Sequence, residues 1–364
     1  MILDISDWTF RSIFMDKALF LPKRWNGVDF KNELEELFHK YKKNLVENGI
    51  SNEINQEVDK ITNSIIESID EYYNGYPEKA YKCFSPLMNS LIKKPLYSPS
   101  SQESMEKLLT LFRAAKVDDN KPYPRDRLFH TPYNLRSKIS TNRYSIAGFP
   151  CLYLSTSLEL CCDEIKATPQ IDMIIASAFQ NDIADLTFIN MTIIDLSIKP
   201  QDFINEEEYI YKEERNSKKG RYIDPFILNT NDKRYYYLLW YPLIAASSYI
   251  RVNKQDPFAA EYIIPQLIMQ WSRTKIREYP KTTQLMGIRY FSCASEKASD
   301  MGFNYVFPTS GKLYSKEQQF CQYLVHAFTL TEPVYLHEYD SVRDCEEYLK
   351  SMERKPIGQK KEIK

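Results

Sequence analysis

The sequence lacks a long apolar run, and it lacks an excess of charge of either sign. No stretch approaches the roughly 20 consecutive apolar residues that a helix needs to span a bilayer. Lys and Arg total 48 against 49 Asp and Glu, so the chain carries no electrostatic signature of a polyanion-binding protein. We therefore expect neither a membrane nor a nucleic acid among its partners.

Motifs that mark several common kinds of site are missing as well. The seven cysteines are an odd number without a CxxC pair, which predicts free thiols in a reducing compartment. The four histidines are far apart in sequence, so we expect no metal site. No Gly-x-Gly-x-x-Gly or Walker sequence supports a Rossmann or P-loop mode of nucleotide binding. The N-terminus mixes acids and bases, unlike a secretion signal, so we expect a cytoplasmic protein.

The composition is that of a globular protein whose N-terminal part is helical. Hydrophobic residues make up 43% of the chain and aromatic residues 14%, enough for a substantial core. Over residues 32–93, apolar residues recur at three- and four-residue spacing, which predicts amphipathic helices. The stretch 93–104 then concentrates Pro and Ser and restarts a helix with Ser101 or Ser104 as its cap. We place the end of an N-terminal helical region, residues 1–100, at this point.

Beyond this boundary the pattern is that of an α+β fold. Segments 156–182 and 258–273 are predicted to be helical. Short apolar runs rich in aromatic and β-branched residues predict strands: LTLFRAA (109–115), PCLYLS (150–155) and LTFINMTIIDLS (186–197). We assign residues 101–350 to a catalytic domain with insertions and residues 351–364 to a loose charged tail.

The most informative region is RYSIAGFPCLYLSTSLELCCDEI, residues 143–165. It has the form Arg-aromatic-x-x-x-Gly-x-Pro-x-x-Tyr, followed by a helix that carries Glu. The residues that fill this pattern are Arg143, Tyr144, Gly148, Pro150, Tyr153 and Glu164. The pattern resembles the RES domain, a family named for its Arg, Glu and Ser.

A second segment, GIRYFS at 287–292, resembles the strand that supplies the serine of that family. Ser292 is the matching residue, and Gly302, Asn304 and Phe307 resemble the segment that follows it. The resemblance covers residues 111–165 and 285–307, with a longer intervening stretch than in compact members. The N-terminal helices lie outside it.

Considered without the resemblance, Arg143 and Tyr153 have ordinary structural explanations. The guanidinium of Arg143 offers a planar set of donors that suits a diphosphate or a ribose hydroxyl, but most arginines form ion pairs at the surface. Strand alternation places Tyr153 on one face with Cys151 and Ser155, where its ring could stack on a nicotinamide. The alternative is a tyrosine of the core.

The same two readings apply to Glu164 and Ser292. Glu164 follows a helix with a wide apolar face, and a carboxylate there could stabilise an oxocarbenium-like state, although most glutamates are simply exposed. Glu159 is the competing candidate. Ser292 lacks the Gly-x-Ser-x-Gly setting of a nucleophile, so we expect it to hold the nicotinamide carboxamide or to position Glu164. Its alternative is a turn serine, with Ser295 as the nearby substitute.

Four further residues are second-tier candidates for substrate binding. Arg113 matches the first strand of the family and could contact a phosphate. His130, with Arg136, could line the adenosine or phosphate end of the ligand, although a structural role in a turn is the stronger interpretation. Tyr144 and Asn304 complete the set through their places in the two motifs.

The resemblance implies a fold, a reaction and a biological role. RES proteins are similar to ADP-ribosyltransferases, with a split antiparallel sheet and helices around an NAD cleft. It implies that NAD is a consumed substrate and not a cofactor, that nicotinamide is released, and that water or phosphate accepts ADP-ribose. It also implies a growth-arresting toxin of bacterial defence that a protein antitoxin restrains.

The expected roles are phosphate or ribose binding by Arg143, nicotinamide packing by Tyr153, oxocarbenium stabilisation by Glu164 and orientation by Ser292. Two other functions stay open at the level of sequence. One is a transferase that moves ADP-ribose to a macromolecule, and the other is a non-catalytic helical interaction protein with a RES-like binding module. The N-terminal helices could dock an antitoxin, a sensor or a second copy of the chain.

Overall fold

The protein is described by a computed structural model that covers residues 5–96, 110–181, 189–204, 231–253, 255–278, 283–309 and 319–357. The chain divides into two compact units. Unit 1 comprises Met1–Ser98 and Ile194–Trp271, and unit 2 comprises Pro99–Ile193 and Ser272–Lys364. Each unit is therefore assembled from two separate stretches of chain.

The described residues form an α+β structure. The α-helices are α1 (Asp7–Phe14), α2 (Phe30–Glu47), α3 (Asn52–Tyr73), α4 (Pro77–Leu91), α5 (Leu158–Glu164), α6 (Asn231–Ala246), α7 (Ile263–Glu278), α8 (Gln322–Ala327) and α9 (Val342–Ser351). The strands are β1 (Leu111–Lys116), β2 (Cys151–Ser155), β3 (Ile174–Asn181), β4 (Ile189–Leu196), β5 (Thr283–Phe291), β6 (Phe303–Pro308), β7 (Phe328–Leu330) and β8 (Val334–Tyr335). Short 3₁₀ helices lie at Lys17–Leu19, Arg125–Leu128, Tyr133–Lys138, Pro200–Phe203, Ala260–Tyr262, Ala298–Asp300 and Leu336–Glu338.

The helices of unit 1 begin where the sequence supplies a cap. The Asp29 carboxylate accepts a hydrogen bond of 3.1 Å from the first turn of α2, and the Ser51 hydroxyl accepts one of 3.4 Å from α3. α4 begins with Pro77, which has no N–H to leave unsatisfied at this position. Most apolar residues of these helices are buried, with Val46 and Tyr73 as exposed exceptions, and the predicted helical pattern over residues 32–93 is confirmed.

α6 completes the core of unit 1. The Tyr41 hydroxyl of α2 donates to the Leu238 carbonyl of α6 at 2.7 Å, and the Tyr241 hydroxyl of α6 donates to the Leu19 carbonyl at 2.8 Å. Residues 237–246 of α6 are all buried, a pattern that requires neighbours on every side of the helix. The core of unit 1 therefore joins the N-terminal helices to a helix from the segment 101–350, which the sequence predicts to be the catalytic domain. The assignment of a catalytic activity to residues 101–350 stays a prediction.

Unit 2 is built on an eight-stranded sheet, of which the residues of β4 from Ile194 onward fall in unit 1. Its strand order is β4-β5-β6-β2-β1-β3-β7, and β8 also pairs with β3. β1 pairs antiparallel with β3 over its whole length, and β2 pairs antiparallel with β6 over its whole length. β1 and β2, in contrast, meet at the single register pair Phe112–Ser155, which we call the seam. The sheet therefore consists of two well-paired parts that are narrowly joined.

Two helices cover one face of the β1–β3 part of the sheet. Leu158, Cys161 and Cys162 of α5 and Leu349 of α9 belong to the same buried cluster as Phe112 of β1. This packing places the end of α5 above the sheet close to the seam. The strands predicted at 109–115, 150–155 and 186–197 are present as β1, β2 and β4, and the helix predicted at 258–273 is present as α7.

The prediction of one helical segment over residues 156–182 is wrong beyond Glu164. Only α5 is helical there, and Ile174–Asn181 form strand β3. β3 is buried on both faces, so its sequence shows no alternation, and periodicity cannot distinguish such a strand from a buried helix.

The beginning of the expected loose tail is held in place. Lys355 pairs with Leu330 through two backbone hydrogen bonds of 3.0 Å, and Arg125 donates to the Pro356 carbonyl at 3.1 Å. Residues 358–364 lie outside the described residues, as do the helix restart expected after residues 93–104 and its caps Ser101 and Ser104. Among the helices that the structure describes, none is long and apolar enough to cross a membrane.

Candidate active site

A row of polar side chains crosses one face of the sheet in unit 2. The register pairs Tyr290 of β5 with Asn304 of β6, and Asn304 with Ser155 of β2. Directly paired residues of antiparallel strands point to the same face with Cβ atoms about 5 Å apart. The row reaches the seam, where Ser155 pairs with Phe112. Side chains from both parts of the sheet therefore approach one another here.

α5 is anchored so that its last residue, Glu164, lies over this row. The Ser157 hydroxyl caps the helix by accepting a hydrogen bond of 3.2 Å from its first turn, and it donates to the Met301 carbonyl at 3.0 Å. The Glu346 carboxylate of α9 accepts a hydrogen bond of 2.8 Å from the Leu158 backbone. With its buried face packed on β1, the helix holds Glu164 in a defined place.

Glu164 is the point where the two halves of the sequence motif meet. Its Oε1 accepts one hydrogen bond from the Ser292 hydroxyl and one from Asn304 Nδ2, each 2.6 Å long. These partners lie 128 and 140 residues away in sequence. Ser292 is 0% exposed and Asn304 3%, whereas the Glu164 side chain is exposed. A buried pair of donors thus holds a carboxylate that solvent can reach.

Aromatic side chains and one arginine surround the same place. The rings of Tyr144 and Tyr290 lie 4.6 Å apart between centroids. Burial is the main reason why the pKa of Tyr290 lies well above its usual range. Smaller upward contributions come from Glu164, Tyr153 and Tyr144, and a downward contribution to this pKa comes from Arg143. All four predicted residues of the Arg-aromatic-Tyr-Glu motif therefore lie within electrostatic reach of Tyr290.

The loop that carries Arg143 is tied to β2 through a hydroxyl pair. Ser145 Oγ and Tyr153 OH lie 2.5 Å apart, and Ser145 is 1% exposed. Arg143 is 8% exposed, so its charge is largely removed from bulk solvent. Gly148 has a φ of +72°, a left-handed conformation that favours glycine in the turn between this loop and β2. The motif glycine therefore lets the loop return over the strand.

A second glycine allows β6 to start beside α5. Gly302 has a φ of +140°, and a Cβ atom there would lie 2.4 Å from Thr156 Oγ1. That hydroxyl accepts a hydrogen bond of 2.9 Å from the Phe303 backbone. The contact joins the start of α5 to the start of the strand that carries Asn304. Glycine at position 302 is thus required by both conformation and space.

Arg113 is placed for a structural role. Strand alternation turns it to the face opposite Phe112, and its Nη1 donates to the Phe129 carbonyl at 2.6 Å. Burial, together with a smaller effect of the nearby Arg127, lowers the pKa of Arg113 to about 10. The observed bond fixes the segment before the motif; a contact of Arg113 with phosphate stays a prediction.

His130 is also held by the backbone. It is 0% exposed, its Nε2 accepts a hydrogen bond of 2.9 Å from the Cys321 N–H, and its Nδ1 donates to the Thr131 carbonyl at 2.9 Å. Burial lowers the pKa of His130 to about 4, so the imidazole is neutral at pH 7. Both ring nitrogens are used, which favours the structural interpretation over a ligand contact.

The competing candidates lie apart from the Glu164 contacts. Glu159 is exposed in the first turn of α5, and Ser295 accepts a hydrogen bond of 3.0 Å from the Ala298 backbone. Arg136 lies over the ring of Tyr133, 5.0 Å from its centroid. The structure therefore brings Glu164 and Ser292 together, and not their substitutes.

Sequence reasoning did not identify two members of the site, Ser155 and Tyr290. Ser155 donates to Asn304 Oδ1 at 2.6 Å, and Tyr290 packs on Tyr144. A signal existed for both, because Ser155 shares a strand face with Tyr153, and Tyr290 lies two residues before Ser292. Asn304 was expected to bind substrate, whereas its amide is used within the protein, between Ser155 and Glu164.

The two cysteines of α5, Cys161 and Cys162, are protonated thiols at neutral pH. All seven cysteines of the chain are free, as predicted. Burial raises the pKa of Cys161 to about 12 and that of Cys162 to about 11. Because the thiolate is the reactive form, these two residues of α5 act as packing groups.

Chemically, the site combines an exposed carboxylate of fixed orientation with a buried cation and several aromatic rings. A carboxylate held in this way can stabilise a positive charge that develops on a ligand or accept a hydrogen bond from its hydroxyl groups. Aromatic faces can stack on a planar ring, and a guanidinium can bind an anionic group.

The comparisons with known proteins give one informative match. The chain is 26% identical over 372 residues to a protein of Bacillus subtilis (strain 168) named "Putative toxin YopC", and the match covers 94% of this chain and 75% of that protein. No family model matches the chain. No solved structure gives a significant match either.

Proposed function

We propose that this chain is an NAD-consuming enzyme that breaks the bond between nicotinamide and ribose. The observation that carries the proposal is the convergence of Ser292 and Asn304, from one part of the sequence, on the carboxylate of Glu164 from another. A carboxylate that is both exposed and fixed suits a reaction in which positive charge develops at a sugar carbon.

The proposed reaction requires little covalent chemistry from the protein. The bond between C1′ of the ribose and the ring nitrogen breaks. The electron pair of this bond stays on the nitrogen, so that nicotinamide leaves as a neutral molecule. The positive charge left on the ribose is that of an oxocarbenium ion, which Glu164 stabilises by its negative charge. Water then adds to C1′ and loses a proton, which gives ADP-ribose; phosphate adding instead gives the phosphorylated product.

The other residues of the site bind and orient in this scheme. The ring of Tyr153, with Tyr144 and Tyr290 nearby, packs on the nicotinamide, and Arg143 binds the ribose or the diphosphate. Ser292 holds Glu164. The narrow seam between two well-paired parts of the sheet supports an ADP-ribosyltransferase-like split sheet, with the NAD cleft at the seam.

The biological role that we propose is a growth-arresting toxin or defence effector. The match to a protein named as a toxin, over most of both chains, supports it. Loss of NAD would arrest the cell, and a toxin of this kind requires a partner that holds it inactive. We propose a protein antitoxin as that partner.

Product analysis tests the proposed reaction. Purified protein is incubated with NAD labelled in its adenylate half, with and without phosphate, and the products are separated by chromatography. Release of nicotinamide with free ADP-ribose identifies hydrolysis, and a phosphate-dependent product identifies phosphorolysis. Label bound to protein or nucleic acid would identify transfer to a macromolecule. If folded protein releases no nicotinamide under any of these conditions, the proposal is wrong.

A further inference from the structure

Ser155 and Asn304 are polar side chains in a place where burial normally selects apolar ones. They are 6% and 3% exposed, and they face each other as the last register pair between β2 and β6. Burying a hydroxyl and an amide is unfavourable unless each forms hydrogen bonds. These two bond to each other and to Glu164, so they form one connected set.

The direction of each hydrogen bond in this set is determined by chemistry. An ionised carboxylate only accepts, so the amide must present Nδ2 to Glu164. Oδ1 of Asn304 then faces Ser155, whose hydroxyl donates to it at 2.6 Å. The same reasoning holds for Ser292, whose Oγ accepts from the Ala294 backbone at 3.1 Å and donates its proton to Glu164.

Both of these donors bind the same oxygen of Glu164. An sp² oxygen has two lone-pair directions, and Oε1 receives one donor from β6 and one from the residue that follows β5. Oε2 has no hydrogen-bond partner among the residues that the structure describes, while the side chain is exposed. The carboxylate is therefore bound on one side and open on the other.

We propose that Ser155 and Asn304 are positioning residues that fix the Glu164 carboxylate with Oε2 presented to the ligand. Ser292 alone would leave the carboxylate free to rotate about its last bond, whereas a second donor from another strand defines its plane. This orientation does not depend on the identity of the ligand. Its effect on reaction rate rests on the proposed NAD cleavage.

The hydrogen bond between Asn304 and Glu164 is tested by exchanging its donor and its acceptor. Asn304→Asp puts a second carboxylate against Glu164, so the variant should lose thermal stability relative to the wild type at pH 8 more than at pH 5, where the pair can share a proton. Adding Glu164→Gln should restore stability at pH 8, because the Gln amide can donate to Asp. Asn134→Asp, at an exposed position of the same unit, is the matched control and should show no such dependence on pH.

Absence of this pH dependence, or a double variant no more stable than Asn304→Asp, would overturn the proposal whatever the ligand is. The effect on catalysis is read from steady-state nicotinamide release. Ser155→Ala should lower kcat about tenfold with little change in KM, and Ser155→Thr should recover activity because it keeps the hydroxyl. Asn304→Asp should move the acidic limb of the pH profile to higher pH.

The outcomes separate this proposal from the proposed function. If the wild type cleaves NAD, but both variants keep its kcat and its pH profile, the positioning role is wrong and the proposed reaction stands. If the wild type does not cleave NAD, the proposed reaction is wrong, and the pH-dependent stability of the exchanged pair still decides whether Asn304 holds Glu164.

Discussion

The carboxylate of Glu164 lies at an end of its helix that disfavours negative charge. Glu164 is the last residue of α5, where the carbonyl end of the helix carries partial negative charge, and a carboxylate there costs about 0.3 to 1 kcal/mol. The hydrogen bonds from Ser292 and Asn304 offset this cost. A glutamate that served stability alone would be better placed in the first turn, as Glu159 is.

The buried imidazole of His130 predicts a pH dependence of stability. Its pKa is lowered from 6.5 to about 4 in the folded protein, so the unfolded chain takes up a proton first as the pH falls. The stabilisation is fully present above pH 6.5 and is lost as the pH falls towards 4, by about 2 kcal/mol at pH 5.

Urea unfolding of the wild type and His130→Gln measures this contribution. The variant can still accept the hydrogen bond from Cys321 but does not titrate, so the stability difference should shrink from pH 7.5 to pH 5. An unchanged difference would show that His130 is not buried as a neutral ring. His39, whose exposed side chain lies in unit 1, provides His39→Gln as the control.

The sequence predicted which residues come together better than it predicted how each is used. Glu164, Ser292, Arg143 and Tyr153 could be named because motif spacing carries over from one chain to another. The role of Asn304 could not, because the direction of its amide depends on the register of β2 and β6. No local pattern shows which residues face each other across a sheet.

Gly302 has a left-handed backbone conformation directly before β6, the strand that carries Asn304 of the candidate site. Gly302→Ala would add a Cβ atom 2.4 Å from Thr156 Oγ1 at a φ of +140°. We expect a loss of at least about 3 kcal/mol in the free energy of unfolding, since backbone strain and a steric clash both contribute.

Gly148→Ala is the matched control in the same unit. Its φ of +72° also favours glycine, but the nearest atom to an added Cβ is the Arg136 carbonyl oxygen at 4.0 Å. Strain alone should cost about 1 to 2 kcal/mol. Urea unfolding compares the two variants, and equal losses would contradict the close contact between Gly302 and Thr156.

Element prediction from sequence succeeded where periodicity was clear and failed where burial removed it. The amphipathic helices α2 and α3 show their buried face as a repeat, and β2 is flanked by turn residues. β3 is buried on both sides, so its apolar run has no period that distinguishes a strand from a buried helix. α6 likewise lacks an exposed face along most of its length.

For the whole molecule, the interleaved units predict that the N-terminal helices cannot fold alone. The core of unit 1 includes α6, which contributes Tyr241 and Leu238 to the contacts of Leu19 and Tyr41. A fragment of residues 1–98 would expose this surface to water. We expect it to show no cooperative thermal transition by circular dichroism, and a sharp transition near that of the full chain would contradict this account.

The sequence suggested a contiguous N-terminal domain because amphipathic stripes reveal that a helix has a buried face and not what covers it. The partner of that face lies more than a hundred residues later in the chain, and only the three-dimensional packing identifies it. The resemblance at residues 111–165 and 285–307, in contrast, pointed to two segments that the fold brings together in unit 2.

In the proposed reaction, the Glu164 carboxylate drives release of nicotinamide from NAD. The most direct measurement is the rate of nicotinamide release by the wild type, Glu164→Gln and Glu159→Gln at saturating NAD. Glu159 lies on the same helix and is exposed, but no hydrogen bond links it to Ser292 or Asn304. We predict that Glu164→Gln lowers the rate by about 10² to 10³ and that Glu159→Gln leaves it within about twofold. Equal rates for the wild type and Glu164→Gln would show that the Glu164 carboxylate plays no part in the reaction.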